Sequence, residues 1–369
     1  MNDQGKIYFL LLHLGQGGVE QFAANLANEF CKKVDVEIIS VYKKSDVPVP
    51  KLDGKIKVRY VFDFDIAERK KDLKFLAWMA WHYLTRRVAI GWHVRQIKKG
   101  TILSTRAAHN DIVGKYAAKG VKKIATEHNH LLDDKKYTEA VIRSCRCMDY
   151  VILPSQEVFE YYRKRVENAK CVRIPHFLKN MPSSRAKLDN LNVISLGRLS
   201  PEKGYDDLIR VFRKVADGCL GAKLTILGDG GERGRLQDLV GEYSLQEIVS
   251  MPGHQDNSGV EKELLTSSVF VSASHTEAFG LAALEAMACG LPVVIFESAR
   301  GILDFVEDGK DGIVVKNRDR KVMAAKILEI LGKKRLRQLL GDNARKKAAE
   351  YSADKIMPMW WRVVGGDVL

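Results

Sequence analysis

Two glutamates eight positions apart, Glu277 and Glu285, stand in the run His275-Thr-Glu277-Ala-Phe-Gly280-Leu-Ala-Ala-Leu-Glu285. A strand pattern ends at Ser272 to Ser274 and a helical pattern follows, so Glu277 falls in the turn between them. The amides of Phe279, Gly280 and Leu281 then lie free at a helix N-terminus, an end that can hold a phosphate. At about 1.5 Å of rise per residue the two carboxylates are on the order of 12 Å apart along a helical path. That separation suits gripping two ends of one extended ligand and is too long for an acid and a base acting on one bond. Earlier in the same half, Gly197-Arg198-Leu-Ser-Pro-Glu-Lys203-Gly204 follows a strand and precedes a helix. A guanidinium and an ammonium meeting at the end of a strand make a diphosphate site.

The N-terminal half has a weaker feature of the same kind. Gly15-Gln16-Gly17-Gly18 leaves the apolar run Lys6 to His13 and opens a helix. Gly17 and Gly18 there would let backbone amides approach an anion, although a plain tight turn accounts for them as well. Phe22 to Ala24 offer no third glycine, which argues against a dinucleotide oxidoreductase. Asp63-Phe-Asp65 has the look of a metal-binding acidic pair, but it precedes a helix far in sequence from every motif above. It is read as surface, and no catalytic metal or other cofactor is expected. The six cysteines form no CxxC pair and no Cys/His cluster of zinc spacing, which points to reduced thiols, with no disulfide and no metal finger.

These residues need strands to end on and helices to start from. Continuous apolar runs alternate with helical periodicity from Lys6 to Leu153 and again from Asn192 to Val315, the pattern of parallel βαβ units. The expected architecture is α/β, with two Rossmann-like domains at residues 1–176 and 193–350. A polar stretch at 177–192 containing Pro182 and Ser183-Ser184 reads as a linker, and residues 351–369 read as a final helix.

The chain has 369 residues with 46% hydrophobic and 29% charged, ordinary globular usage that excludes a largely disordered or collagen-like protein. Its net charge of +14 is lopsided, because residues 1–176 carry 32 Lys and Arg against 20 Asp and Glu. Such asymmetry points to an anionic partner of the first half, although scattered solubilising lysines would produce it too. The excess is densest at residues 66–99, with nine Lys and Arg, among them Lys70, Lys71, Lys74, Arg86 and Arg87. Trp78, Trp81, Thr85, Val88 and Trp92 recur there at three and four, so the tryptophans share one helical stripe. Such a helix can lie in an anionic membrane interface, or its tryptophans can pack in a core. No apolar run approaches the roughly 20 residues that span a bilayer, and no leader pattern is present, so the chain is expected to be neither exported nor integral.

The Glu277 to Glu285 run matches the E-x7-E motif of retaining glycosyltransferases of the GT-B fold. With Gly197-Arg198…Lys203-Gly204 and Gly228-Asp-Gly230 it resembles glycosyltransferase family four, most strongly from Val193 to Val315. In the first half the glycine turn and Thr126-Glu-His128 are the matching points. The resemblance implies a nucleotide-sugar held between two Rossmann-like domains, with the last helix crossing back onto the first. It implies that Arg198 and Lys203 bind the donor diphosphate, Glu285 the ribose hydroxyls and Glu277 the hydroxyls of the transferred sugar. Gly17, Gly18, Gly197, Phe279, Gly280 and Leu281 would complete the donor site. His128 matches the histidine that contacts the donor sugar beside the reacting carbon, with His130 a near rival and His109 a remote one.

The function so implied is metal-independent, retaining transfer of a hexose or N-acetylhexosamine, from a UDP-sugar sooner than GDP-mannose, to a lipid-linked or cell-envelope glycan. The expected place is the cytoplasmic face of an anionic membrane. A nucleotide-sugar epimerase or phosphorylase of the same fold would keep a phosphate site. A non-catalytic nucleic-acid-binding protein would explain the charge but has no use for Glu277 and Glu285, and no nucleic-acid motif is present, so no nucleic-acid partner is expected.

Overall fold

A computed structural model describes residues 5–15, 17–44, 50–63, 73–130 and 134–365, with backbone alone at 73–81, 83 and 84. The chain divides into two compact units, one made of residues 1–174 with 357–369 and the other of residues 175–356.

The first unit is built on β1 (Ile7–His13), β2 (Val36–Tyr42), β3 (Lys57–Tyr60), β4 (Gly100–Ser104), β5 (Val121–Thr126), β6 (Tyr150–Leu153) and β7 (Lys170–Arg173), ordered β3-β2-β1-β4-β5-β6-β7. All neighbours are parallel. Parallel sheets are covered on both faces, which is why β1 and β2 read as unbroken apolar runs. Edge strand β7, Lys-Cys-Val-Arg, alternates exposed ends with half-buried residues and has no such run to announce it. The helix Gly18–Phe30 lays Phe22, Ala23, Leu26, Ala27 and Phe30 on this core.

The helix Ala353–Gly365 begins in the second unit and ends in the first. Within the first unit Trp360 is fully buried, its ring 6.1 Å from Phe22 and 6.3 Å from Phe30. Trp361 stands edge-on to Phe30 at 4.9 Å. Lys122 Nζ donates to the carbonyls of Val363 and Val364, both at 2.9 Å, so a cation satisfies two of the acceptors a helix end leaves open.

The second unit carries β8 (Asn192–Leu196), β9 (Lys223–Leu227), β10 (Val249–Gly253), β11 (Val269–Ser272), β12 (Val293–Phe296) and β13 (Gly312–Val315), again all parallel, in the order β10-β9-β8-β11-β12-β13. Strand order reverses between β8 and β11, and in open parallel sheets ligands bind outside the strand ends at such a switch point.

The segment 177–192 is not a free linker. It belongs to the second unit, where Phe177, Leu178, Ala186 and Leu188 are buried. Its carbonyls are taken up by two arginines of the helix Lys334–Ala348. Arg345 donates to Pro182 O at 2.7 Å and Ser184 O at 3.0 Å, and buried Arg337 donates to Leu188 O at 2.8 and 3.0 Å. A polar sequence is thereby folded onto the core because distant guanidinium groups supply its hydrogen bonds. The unit boundary near Met357 likewise falls inside the last helix and not at 351.

Candidate active site

Loops leaving β8 and β11, the two strands flanking the switch point, carry the Gly197–Gly204 and Glu277–Glu285 motifs. After β8 the chain runs through Gly197 and Arg198 into a short 3-10 turn, Pro201–Lys203, and then the helix Tyr205–Gly218. Gly204 links them at φ +62°, and a Cβ there would lie 2.2 Å from Ala273 O, so only glycine lets this loop touch the β11 loop. The amide of His275 donates to Glu202 O at 2.8 Å and ties the loops a second time.

Lys203 Nζ meets Glu277 Oε1 at 2.7 Å, and Ser274 Oγ donates to the same oxygen at 2.9 Å. Both charged side chains are mostly buried, at 22% and 15% exposure. Arg198 is different. Its side chain is 74% exposed and among the described residues pairs with Glu202 alone, at 3.7 Å, so Lys203 and Glu277 are brought together while Arg198 extends into solvent. Gly197 packs against Tyr205, whose hydroxyl would lie 2.9 Å from an added Cβ. Burial first, and then the charge of Glu277, push the Tyr205 hydroxyl well above its ordinary pKa.

Gly280, at φ +92°, caps the helix Leu281–Ala288, and a Cβ there would meet Ile302 Cγ1 at 2.3 Å. Phe279 is buried beside Phe305 and Tyr351 and anchors the turn from below. No acceptor within the described residues takes the amides of Phe279, Gly280 and Leu281. Glu285, one turn into the helix, has no hydrogen-bond or ion-pair partner among the described residues, and burial alone pushes its carboxyl up to about 7. A half-buried carboxylate without a donor is poised for hydroxyl groups brought by a ligand.

In the first unit Gly17 caps the helix Gly18–Phe30, and both glycines are exposed. The turn holds a residue the sequence reading missed. Glu20 is buried, folds its carboxylate back to where a Gly17 side chain would stand, and has Oε1 3.8 Å from His13 Nδ1. An acid in the first helical turn after a glycine pair was the available signal.

The histidines separate clearly. His128, just beyond β5, is half-buried, with Nε2 2.9 Å from Thr126 Oγ1 and its ring 4.8 Å from that of Phe22. His130 is buried against Glu157 at 3.1 Å. His109 is enclosed, and burial, aided by the nearby Arg106 charge, lowers it to about 3, a neutral structural ring. Glu127, also unremarked in the sequence, accepts the amides of His128 and Asn129 at 2.8 Å each and fixes the backbone that carries His128. Burial pushes this acid up to about 7 against the pull of those two amides.

Of the basic helix, Lys70 and Lys71 lie outside the described residues, as do the side chains of Lys74, Trp78 and Trp81. Its described part exposes Val88 and Trp92, at 66% and 63%, together with Arg87, while Arg86 is half-buried. Asp63 pairs with Lys43, and Asp65 lies outside the described residues. Among the described residues all six cysteines are free, no group of three His, Cys, Asp or Glu could hold a metal ion, and no helix is long and apolar enough to cross a membrane.

Two parallel α/β units of this topology are those of the GT-B glycosyltransferase fold. Residues 177–347 match the family described as Glycosyl transferases group 1, and residues 16–178 match Glycosyltransferase Family 4. The chain belongs to these glycosyltransferases. It is 25% identical, over 96% of its length, to an exopolysaccharide phosphotransferase of Streptomyces coelicolor, of which it spans only 40%. It is 27% identical, over 64% of its length, to a poly(ribitol-phosphate) alpha-N-acetylglucosaminyltransferase of Staphylococcus aureus, of which it spans 49%. The fold is that of S. aureus TarM, solved with fondaparinux, alpha-GlcNAc-glycerol and UDP. The TM-score is 0.82 at 17% identity, covering 98% of this chain and 100% of that one.

Proposed function

We propose that this chain moves a hexose or N-acetylhexosamine from a UDP-sugar to a hydroxyl of a lipid-linked or cell-envelope glycan, with retention of anomeric configuration and without a metal. The observation that carries the reading is the Lys203–Glu277 pair at the switch point, with the unpartnered Glu285 on the helix that follows. The S. aureus relative's name and the UDP in the TarM structure support the donor and acceptor classes.

In this reading the bond from the anomeric carbon to the diphosphate oxygen breaks as the acceptor oxygen attacks from the same face. The acceptor's proton passes to the departing phosphate oxygen, so no protein nucleophile is used. Lys203 and the free amides at Phe279 to Leu281 stabilise the charge that builds on the leaving group, and Arg198 swings in as a second cation. Glu277 orients the sugar hydroxyls and Glu285 the ribose; for His128 the family resemblance implies a contact with the donor sugar. Screening UDP- and GDP-linked sugars should show thermal stabilisation by a UDP-sugar, and free UDP should appear only when acceptor is added. A rearranged nucleotide-sugar without acceptor would favour the epimerase reading instead.

The acceptor's location is part of the same proposal. Val88 and Trp92, one helical turn apart, are exposed beside Arg87, Arg95, Lys98 and Lys99, which fits an anionic membrane surface on the cytoplasmic side. Each cation near such a surface is worth about 1 kcal/mol and is screened by salt. Burial of the indole adds an apolar part of roughly 1.5–3 kcal/mol. Sedimentation with anionic vesicles should therefore fall about tenfold or more for Trp92→Ser, with an unchanged melting temperature because the ring is exposed. A wild type indifferent to vesicle charge would end the membrane reading and leave sugar transfer untouched.

A further inference from the structure

Arg318 occupies a strained position and makes more contacts than any surface role needs. It and Asn317 have φ of +51° and +53°, left-handed values that non-glycine residues hold only when their surroundings over-determine them. The guanidinium supplies that determination. Nη1 donates to Ser274 O and Ser298 Oγ, both at 2.8 Å, and Nη2 donates to Asp207 Oδ2 at 2.6 Å and Ala273 O at 3.0 Å. The plane lies 4.6 Å from the centre of the Phe296 ring. Ser298 Oγ in turn donates to Ser274 O at 2.8 Å. One planar fork, projecting from the exit of β13, thus joins the exits of β11 and β12 to the helix Tyr205–Gly218.

We propose that Arg318 is a positioning residue that clamps the 273–277 loop, so that Ser274 Oγ and Lys203 meet Glu277 in the geometry the sugar requires. The proposal rests on the sugar-transfer reading for its kinetic part and on the loop contacts alone for its structural part. Arg318 touches no group placed against substrate. It acts through Ser274, whose carbonyl it holds and whose hydroxyl donates to Glu277 Oε1. A lysine cannot reproduce the fork, because an ammonium lacks the fixed planar array of donors.

The test compares wild type with Arg318→Ala and Arg318→Lys. Hydrogen exchange of peptides covering residues 273–280 should speed up about tenfold or more in Arg318→Ala while the strands of the sheet keep their protection. With a UDP-sugar donor, kcat should drop about ten- to a hundredfold, the scale of a lost charged hydrogen bond. Binding of bare UDP should stay within about threefold, Arg318→Lys should be intermediate, and guanidinium at tens of millimolar should restore part of the alanine variant's kcat. Unchanged loop exchange, or a loosened loop with kcat and KM intact, would overturn the clamp. So would a loss of UDP binding in step with kcat. A wild type that transfers no sugar defeats the proposed function, and exchange at 273–280 then upholds or overturns the clamp alone.

Discussion

Lys203→Ala should lower the rate of sugar transfer by about 10² to 10³, the usual cost of removing one preorganised group that stabilises developing charge. The side chain is held in place by Glu277 at 2.7 Å and is only 22% exposed, so its charge is fixed before the donor arrives. Arg198→Ala should cost less, about tenfold, because a 74% exposed side chain must be ordered by the donor itself and is not preorganised. EDTA should change neither wild type nor variant. Loss of activity in EDTA with recovery in Mg²⁺ would show that a metal, and not Lys203, neutralises the diphosphate.

Binding of bare UDP should tighten about tenfold from pH 6 to pH 8, because the Glu285 carboxyl, pushed up to about 7 by burial, must ionise to accept the ribose hydroxyls. The sign follows from linkage. A folded pKa above the ordinary value favours the protonated free protein at low pH, so binding through the ionised form releases a proton and strengthens as pH rises through 7. Glu285→Gln should flatten this profile and weaken UDP by about ten- to a hundredfold, whereas Glu277→Gln should leave UDP nearly untouched and reduce recognition of the intact sugar donor. Calorimetry in two buffers of different ionisation enthalpy would count the proton. Equal weakening of bare UDP by both substitutions would undo the division of roles.

What could be read from the sequence was local. Gly197 to Gly204 and Glu277 to Glu285 each span one strand-to-helix turn, and hydrophobic periodicity places such turns without any knowledge of the rest of the chain. Contacts that join distant segments left no mark of that kind. Arg318 meets Asp207 across 111 positions, and Arg345 holds the carbonyls of Pro182 and Ser184 from 163 and 161 positions away. For that reason 177–192 looked like a linker, and Arg318 drew no notice. Arg198 and Lys203 read as equals in sequence, since spacing cannot show which of two cations a buried carboxylate will hold.

The last helix gives this protein an unusual order of assembly. Trp360 closes on Phe22 and Phe30 of the first unit, yet all of residues 175–356 lie between that unit's main body and the ring that completes it. At roughly 5–20 residues per second, a ribosome needs on the order of 10 s or more to cross that interval. During that time the β1 side of the nascent protein displays an open aromatic pocket, while the second unit, continuous in sequence, can fold as it emerges. The unit begun first is therefore finished last, and a change at Trp360 would be felt at Phe22 and Phe30, more than 300 positions back in the message.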